Sequence, residues 1–197
     1  MLGEVDSVLI ESSRFIGNLS AKRGAAIQID SLVFGASLTF PSTSLTLRDN
    51  TFIDNRCGPN AQSTETNGGA VFISLDNVNG DVAIDSSDFV GNTASVETEG
   101  FRSSRGGGLY VQEVFGDVSI DRCRFKRNVA DDAAAIFLRN ADSVSLTRSK
   151  IERNDSLKST SAVGYVLGFT RGSLVVRRSH FRRNNGTFVR TFYHEGS

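Results

Sequence analysis

Three aspartates in this 197-residue chain have the residue type and spacing that carbohydrate chemistry requires. Asp85 and Asp121 each stand four residues before the Phe of a repeated F-x-x-N word, and Asp88 stands one residue before it. If the two words lie in adjacent coils, the carboxylates of Asp85 and Asp121 are about 5 Å apart, which suits a retaining glycosidase pair or a Ca²⁺ site. The other members of that sequence column are Glu11, Arg48, Thr147 and Arg177. Because this mixture of charges favours pairing between coils, the aspartates are weak catalytic candidates, and no cofactor other than Ca²⁺ is suggested.

Basic residues are concentrated in the second half of the chain. Residues 1–117 hold 7 Lys and Arg against 15 Asp and Glu, whereas residues 118–183 hold 14 against 6. The later cations recur at fixed offsets from the repeated Phe, which predicts one basic face. Its members are Arg122, Arg124, Lys126, Arg127, Arg148, Lys150, Arg153, Arg177, Arg178, Arg182 and Arg183.

Two interpretations of this basic face remain open. It is either a solvated surface, partly neutralised by Asp121, Glu152 and Asp155, or a site for an anionic partner. An acidic or sulfated glycan fits the second interpretation, as do the acidic coils of another protein or of a second copy. Nucleic acid is not predicted, because no aromatic residues interleave with these cations and no recognition motif is present.

A possible aromatic stripe is a further binding candidate. Segments such as GGAVFI and GGGLYV follow the repeated word, and their alternation places one column of residues outward: Gln28, Phe72, Tyr110, Phe137, Val166 and Val189. If this column is exposed, its three aromatic residues form a surface for sugar stacking or for another protein. The alternative is that the connections 56–67 and 93–105 fold over it.

Modification and cysteine patterns carry less information. Asn18 and Asn154 match the N-glycosylation pattern, but they belong to the repeated word and are expected to be inaccessible, which leaves Asn185 as the predicted acceptor. Cys57 and Cys123 fall in different columns two coils apart, about 10 Å by the coil rise, so both are predicted to be buried free thiols. No metal site is predicted, since no His follows either cysteine at ligand spacing.

All of these residues are positioned by a frame that recurs six times. We number the coils 1 to 6 by their central residues, which are Phe15, Phe52, Phe89, Phe125, Ile151 and Phe181. Each is followed three residues later by Asn and preceded by a period-two apolar pair such as Val8 and Ile10, and a third apolar segment ends the unit. Fixed columns in three strand segments predict an all-β, right-handed parallel β-helix, one solenoid domain over residues 1–197. The strands of an immunoglobulin-like sandwich, the competing fold, would not share fixed columns.

The repeated word has a structural interpretation within this fold. The Phe column is predicted to stack inside the core, with Ile151 as an aliphatic substitute. The Asn column is predicted to pass amide hydrogen bonds from coil to coil and to satisfy backbone groups at the turn. Both expectations concern stability rather than binding.

The combination of F-x-x-N with G-G-A-[ILV] resembles a known repeat. It occurs here as FIDN at Phe52 with GGAV at Gly68–Val71, and as FVGN at Phe89 with GGLY at Gly107–Tyr110. These words are similar to the polymorphic outer-membrane protein repeats of chlamydial autotransporters and to repeats of the wider pectin-lyase-like superfamily. The autotransporter passengers are surface-exposed and act in adhesion, so the resemblance implies an extracellular or cell-surface location and an interaction role.

Three functions are compatible with these patterns. The first is a non-enzymatic surface module for adhesion or for binding a glycan or protein. The second is a lyase or hydrolase acting on acidic glycans, and the third is a structural subunit of a filament or large assembly. The chain enters repeat sequence almost at once, so we expect it to be a segment of a longer protein, with an open end covered by more chain or by another copy. No apolar run is long enough to predict membrane insertion.

Overall fold

The computed structural model describes residues 7–30, 44–58, 65–75, 80–94, 103–157, 162–169 and 173–192. In these ranges the regular structure consists only of β-strands, and every strand pair is parallel. The same ranges contain no helix that could cross a membrane.

Most strands are short, because each coil bends several times. In chain order they are β1 (Ser7–Glu11), β2 (Arg14–Ile16), β3 (Leu19–Ser20), β4 (Ile27–Asp30), β5 (Ser44–Arg48), β6 (Thr51–Ile53), β7 (Arg56–Cys57), β8 (Glu65–Asn67), β9 (Val71–Ser74), β10 (Val82–Asp85), β11 (Asp88–Val90), β12 (Thr93–Ala94), β13 (Ser103–Arg105), β14 (Leu109–Asp121), β15 (Arg124–Lys126), β16 (Val129–Ala130), β17 (Ile136–Thr147), β18 (Lys150–Glu152), β19 (Asp155–Ser156), β20 (Ala162–Phe169), β21 (Leu174–Arg177), β22 (His180–Arg182) and β23 (Thr187–Phe192). The long strands β14 and β17 each run from the last segment of one coil into the first segment of the next.

The strands form four parallel sheets. Sheet A has ten strands, with β1, β5, β10, β14, β17, β20 and β23 in order and β4, β9 and β21 joined to them. Sheet B runs β2-β6-β11-β15-β18-β22, sheet C contains β3, β7, β12, β16 and β19, and sheet D contains β8 and β13. Each strand pairs with its equivalent in the neighbouring coil, so the described chain is a parallel β-helix of six coils. The predicted all-β fold with three strand segments per coil is confirmed, and sheets C and D are additional short segments.

The Phe column forms the centre of the core, as predicted. The rings of Phe15, Phe52, Phe89 and Phe125 stack at centroid distances of 5.1, 4.8 and 4.6 Å. Ile151 is fully buried in the same column, in register with Phe125. The spacing equals one coil rise of about 4.8 Å, so each ring packs on the ring of the next coil.

The Asn column forms a continuous ladder beside the core. The backbone N–H and the Nδ2 group of Asn18 both donate to Asn55 Oδ1, at 3.1 and 2.8 Å. In the same way, the backbone N–H and the Nδ2 group of Asn55 donate to Asn92 Oδ1. The Nδ2 group of Asn55 also donates to the Phe15 carbonyl at 3.0 Å. The same pattern continues through Asn128, Asn154 and Asn184. The predicted ladder is confirmed, and it satisfies backbone groups that would otherwise be buried without partners.

Two bends flank each strand of sheet B. The first bend has a residue at φ 49° to 54° in every coil: Ser12, Asp49, Ser86, Arg122, Arg148 and Arg178. The second bend has one at φ 51° to 69°: Gly17, Asp54, Gly91, Arg127, Arg153 and Arg183. These left-handed positions turn the chain sharply, and in coils 4 to 6 each of them is an Arg beside sheet B.

The third segment of coil 5 differs from the prediction by one residue. The alternation predicts Val166 in the outward column of this segment. In the structure Gly164 is in register with Ile136 and Tyr165 with Phe137. Arg190 then pairs with Tyr165, so Tyr165 and Arg190 occupy the column that was predicted to hold Val166 and Val189.

Candidate functional site

The basic face lies on the outer side of sheet B in coils 4 to 6. Arg124, Lys150 and His180 are in register on β15, β18 and β22, and Lys126, Glu152 and Arg182 form the next outward column. The first bend adds Arg122, Arg148 and Arg178, and the second bend adds Arg127, Arg153 and Arg183. Arg177 ends β21, immediately before the first bend of coil 6. The structure therefore places the predicted basic residues on sheet B, on the two bends beside it and, for Arg177, at the adjoining end of β21.

Only some of these cations have carboxylate partners. Arg122 pairs with Asp85 at 2.7 Å and with Asp121 at 3.2 Å, and Arg124 is 3.7 Å from Glu152. Arg148 pairs with Asp121. Within the described part of the chain, the other cations of the basic face make no ion pair: Lys126, Arg127, Lys150, Arg153, Arg177, Arg178, Arg182 and Arg183. The positive charge of coils 5 and 6 is thus largely uncompensated in the described residues.

Two of the three candidate aspartates lie side by side, and the third lies across a bend. Asp85 and Asp121 are in register on adjacent coils, as expected, whereas Asp88 lies across the first bend on β11, in register with Thr51 and Arg124. Hydrogen bonds from Arg148 hold the pKa of the Asp121 carboxyl below its usual range. A general acid needs the opposite shift, and both carboxylates are occupied by guanidinium groups rather than open to a cation. No group of three potential ligands in the described residues could hold a metal ion.

An open cleft of about 320 Å³ lies at the first bend of coils 5 and 6. Among the described residues it is lined by Thr147, Arg148, Arg177 and Arg178. Thr147 and Arg177 are in register on β17 and β21, and the Arg148 N–H donates to the Arg177 carbonyl at 3.0 Å. Three of the four described residues that line the cleft therefore carry a guanidinium group.

The interpretation of the aromatic column as an exposed stripe is wrong. Phe72, Tyr110 and Phe137 stack at 5.0 and 4.6 Å, but their exposed fractions are 0%, 2% and 1%. Together with Ala133 they form a second small core outside the main one. A surface for sugar stacking cannot be made from these rings, since no ring face reaches solvent.

Sheet D and the bends after it cover the aromatic column. The Arg23 guanidinium lies over the Phe72 ring at 4.9 Å, and that of Arg105 lies over Phe137 at 5.4 Å. At Gly106 the backbone has φ +65°, and a Cβ there would be 3.0 Å from the Tyr110 Cβ. Residues 65–67 and 103–105, at the ends of the connections 56–67 and 93–105, thus help to cover the aromatic column. Residues 59–64 and 95–102 of these connections lie outside the described residues. The sequence signal that we missed is the Arg-Gly pair, which precedes the third segment at Arg23 and again at Arg105.

Comparison with known proteins agrees with this architecture. Residues 73–196, more than half of the chain, match the family described as right handed beta helix region. The chain belongs to the right-handed β-helix family. No curated protein and no solved structure matches it. The family membership confirms the predicted handedness, whereas the finer resemblance to outer-membrane repeats stays a prediction.

The predicted glycosylation site of this right-handed β-helix is accessible. Asn185 is exposed, and its Nδ2 donates to Asp155 at 2.7 Å. Asn154 is 1% exposed, as expected for a ladder residue. The expectation that Asn18 is inaccessible is wrong, because Asn18 is the first rung of the ladder and no described coil precedes it.

Both cysteines of the β-helix are buried free thiols, as predicted. Burial raises the pKa of Cys57 to about 12 and that of Cys123 also to about 12. Cys57 is in register with Ser20 and Ala94 in sheet C, whereas Cys123 lies before β15 with its N–H bonded to Ser149 Oγ. Neither thiol is a reactive nucleophile, because the thiolate form is strongly disfavoured.

Proposed function

We propose that this β-helix is a non-enzymatic binding module whose basic face holds an acidic or sulfated glycan outside the cell or on its surface. The observation that carries the proposal is the set of cations without carboxylate partners among the described residues of coils 4 to 6. Charges that stabilise a surface are normally interspersed with the opposite sign. A face on which cations outnumber carboxylates instead raises the local concentration of an anionic partner.

The geometry of the face suits a linear polyanion. At each of the two bends an Arg recurs once per coil in coils 4 to 6, which gives two columns parallel to the helix axis at a rise of about 4.8 Å. A linear polyanion that lies parallel to the helix axis would meet a new cation at each coil without any rearrangement of the protein. Arg is well suited to this role, because its planar fork binds carboxylate and sulfate oxygens in pairs.

Two observations favour binding over catalysis. The aspartates that could act on a sugar are engaged by Arg122 and Arg148, and the pKa of Asp121 is lowered rather than raised. The resemblance to surface-exposed adhesion repeats supports the extracellular location. The alternative is a lyase or hydrolase acting on acidic glycans, and an assay for cleavage of the glycan distinguishes it from a binding module.

The test is a titration of the protein with a polyuronate oligosaccharide and with a heparin oligosaccharide, at low and at high salt. We expect binding that weakens steeply with salt and leaves the oligosaccharide intact. The triple variant Arg127→Gly, Arg153→Gly and Arg183→Gly should bind at least about tenfold more weakly, since each neutralised cation removes a favourable contact. Glycine suits these positions because Gly17 and Gly91 occupy the same column at φ 65° and 69°.

The matched control is Arg14→Thr on coil 1, because Thr51 occupies the same outward column on the next coil. It should bind like the unaltered protein. Shortened oligosaccharide products would overturn the non-enzymatic reading, and equal binding by the triple variant would overturn the basic face as the site. Equally tight binding of duplex DNA would overturn the assignment to a glycan.

A self-assembling structural subunit is the second candidate, and the charge asymmetry favours it. Residues 1–117 carry 15 acidic against 7 basic residues, so the early coils of one copy complement the late coils of another. Sedimentation velocity should then show self-association at low salt that is lost at high salt. A monomer at low salt would exclude this candidate.

A further inference from the structure

The backbone of the first bend is repeated closely from coil to coil. In each of five coils the N–H of the bend residue donates to a carbonyl of the next coil, at 2.9 to 3.1 Å. For Arg122 the acceptor is Thr147, and for Arg148 it is Arg177. The bend residues Arg122, Arg148 and Arg178 have φ of 52°, 50° and 53°. The surroundings of these three arginines are therefore related by a translation of one coil.

Two of the three arginines bind a carboxylate of the preceding coil. Arg122 in coil 4 donates from Nη2 to Asp85 Oδ2 in coil 3 at 2.7 Å. Arg148 in coil 5 donates from Nε to Asp121 Oδ1 in coil 4 at 2.8 Å and from Nη2 to Asp121 Oδ2. Asp85 and Asp121 are in register on β10 and β14, so the two pairs are equivalent.

The third arginine lacks the equivalent carboxylate. The residue in register with Asp121 on the next coil is Thr147. Its hydroxyl donates to Asp121 and is therefore directed toward coil 4. The hydroxyl is not directed toward Arg178 in coil 6. Arg178, together with Arg177 in register with Thr147, faces this position without an ion pair among the described residues. The open cleft lies at this place in the fold.

We infer that the cleft lined by Thr147, Arg177 and Arg178 is an anion site that anchors one carboxylate or sulfate group of the bound glycan. The inference rests on the proposed function and names the point of attachment within the basic face. Arg178 would hold the group through its fork, as Arg148 holds Asp121, and Arg177 would add a second cation. The incoming anion takes the place in the repeat that an aspartate side chain occupies in coils 3 and 4.

The charges around the cleft are compatible with an anion. Asp121 is in register with Thr147 of the cleft, and its charge is compensated by Arg122 at 3.2 Å and by Arg148. Because the fork of Arg148 is already used by Asp121, Arg177 and Arg178 are the donors that remain. Two adjacent anions in this column are tolerated elsewhere in the chain, since Asp85 and Asp121 are neighbours with Arg122 between them.

The decisive variant is Thr147→Asp, which extends the aspartate column by one coil. Its carboxylate should pair with Arg178 and compete with the ligand, so the affinity for the polyuronate and heparin oligosaccharides should fall at least about tenfold. The control Thr147→Asn has nearly the same size as the aspartate, can still donate to Asp121 and adds no charge. It should bind like the unaltered protein.

A second variant removes the cation instead. Arg178→Ser is compatible with the left-handed backbone, because Ser12 and Ser86 occupy the same column at φ 51° and 49°. It should weaken binding to a similar extent as Thr147→Asp, and the double variant should add little further loss because both changes act on one site. Heparin carries carboxylates as well as sulfates, whereas a polyuronate carries carboxylates only. A loss of affinity confined to heparin therefore identifies a bound sulfate, and equal losses for both oligosaccharides identify a bound carboxylate.

The outcomes separate this inference from the proposed function. If the unaltered protein binds neither oligosaccharide, the proposed function fails. If it binds and the Arg127, Arg153 and Arg183 triple variant weakens binding, while Thr147→Asp and Thr147→Asn bind equally well, the basic face stands and the anchoring site is overturned. Thermal unfolding of each variant shows that the protein remains folded during the titration.

Discussion

The amide oxygen of Asn128 accepts two hydrogen bonds from Asn92, one from the backbone N–H at 3.0 Å and one from Nδ2 at 3.1 Å. The Nδ2 group of Asn128 donates to the carbonyl of Phe89 at 3.0 Å and to Asn154 Oδ1 at 3.0 Å. Asn92 and Asn128 are completely buried. One amide therefore joins three consecutive coils, which explains why the word F-x-x-N ends in Asn.

Replacing Asn128 by Ala should lower the free energy of unfolding by roughly 2–4 kcal/mol, because buried donors and acceptors on both neighbouring coils lose their partner. Asn185→Ser, at an exposed Asn in the same coil as Asn184, should change it by less than about 0.5 kcal/mol. Urea denaturation followed by circular dichroism measures both values. Equal values for the two variants would contradict the structural role of the ladder.

The Phe stack predicts a graded response to substitution. Phe89→Ala should cost about 3–5 kcal/mol of unfolding free energy, because it leaves a cavity between the Phe52 and Phe125 rings. Phe89→Ile should cost clearly less, since Ile151 fills the same column in coil 5 with no exposed surface. Denaturation curves measure both costs, and equal costs for the two variants would mean that ring stacking rather than filled volume stabilises the column.

The covered aromatic column predicts a loss of stability without a loss of binding. Phe137→Ala should lower the unfolding free energy by about 3 kcal/mol, because the ring is 1% exposed and stacks on Tyr110. At a temperature where the variant is folded, its affinity for the heparin oligosaccharide should equal that of the unaltered protein. A selective loss of affinity would restore this column as a binding site.

The two thiols should be unreactive in the native protein. Burial raises the pKa of each from its usual value near 9 to about 12, so at neutral pH a disulfide reagent such as Ellman's should react only after unfolding. The unfolded state ionises its thiols first, so their contribution to stability is complete below about pH 9 and is lost as pH rises toward about 12. Fast labelling of folded protein would show that Cys57 or Cys123 is accessible.

The Asp121 ion pair should stabilise the protein at neutral pH, and this contribution should be lost at low pH. Arg148 holds the pKa of the Asp121 carboxyl below its usual range, so the folded state favours the charged form. This contribution is present above the usual carboxyl pKa of about 4 and is lost as pH falls through the lower folded value. Asp121→Asn should remove it, with an effect of less than about 1 kcal/mol because both partners reach solvent. Urea midpoints at neutral and acidic pH measure the difference, and a midpoint difference that is constant across pH would argue against it.

Much of the fold could be read from local patterns. Period-two pairs such as Leu45 and Leu47 identified the inner face of sheet A, and both side chains are buried. The columns of Phe and Asn identified which residues lie above one another, because strands of a parallel coil repeat in register. Ile151 could be placed in the Phe column from its Asn three residues later, although it is not aromatic.

The candidate site was only partly predictable. Alternation correctly placed Phe72 on the side of its strand away from the main core, but it carries no information about a second layer. Sheet D, which supplies that layer, is formed by two segments of three residues each, too short for a periodic signal. The one-residue error at Tyr165 arose because a glycine, Gly164, occupies the position that an isoleucine holds one coil earlier.

The sequence by itself determined the coil, its columns and the side of the helix on which the basic residues lie, because each of these follows from short repeated words and from the period of a strand. The tertiary structure decided which aromatic rings are covered and which cations have partners. Those properties depend on segments far apart in the chain that meet only when the coils stack. Thr147 is an ordinary strand residue in the sequence, and we propose an anion site beside it only because Arg148 is held by Asp121 while Arg178 has no described carboxylate to pair with.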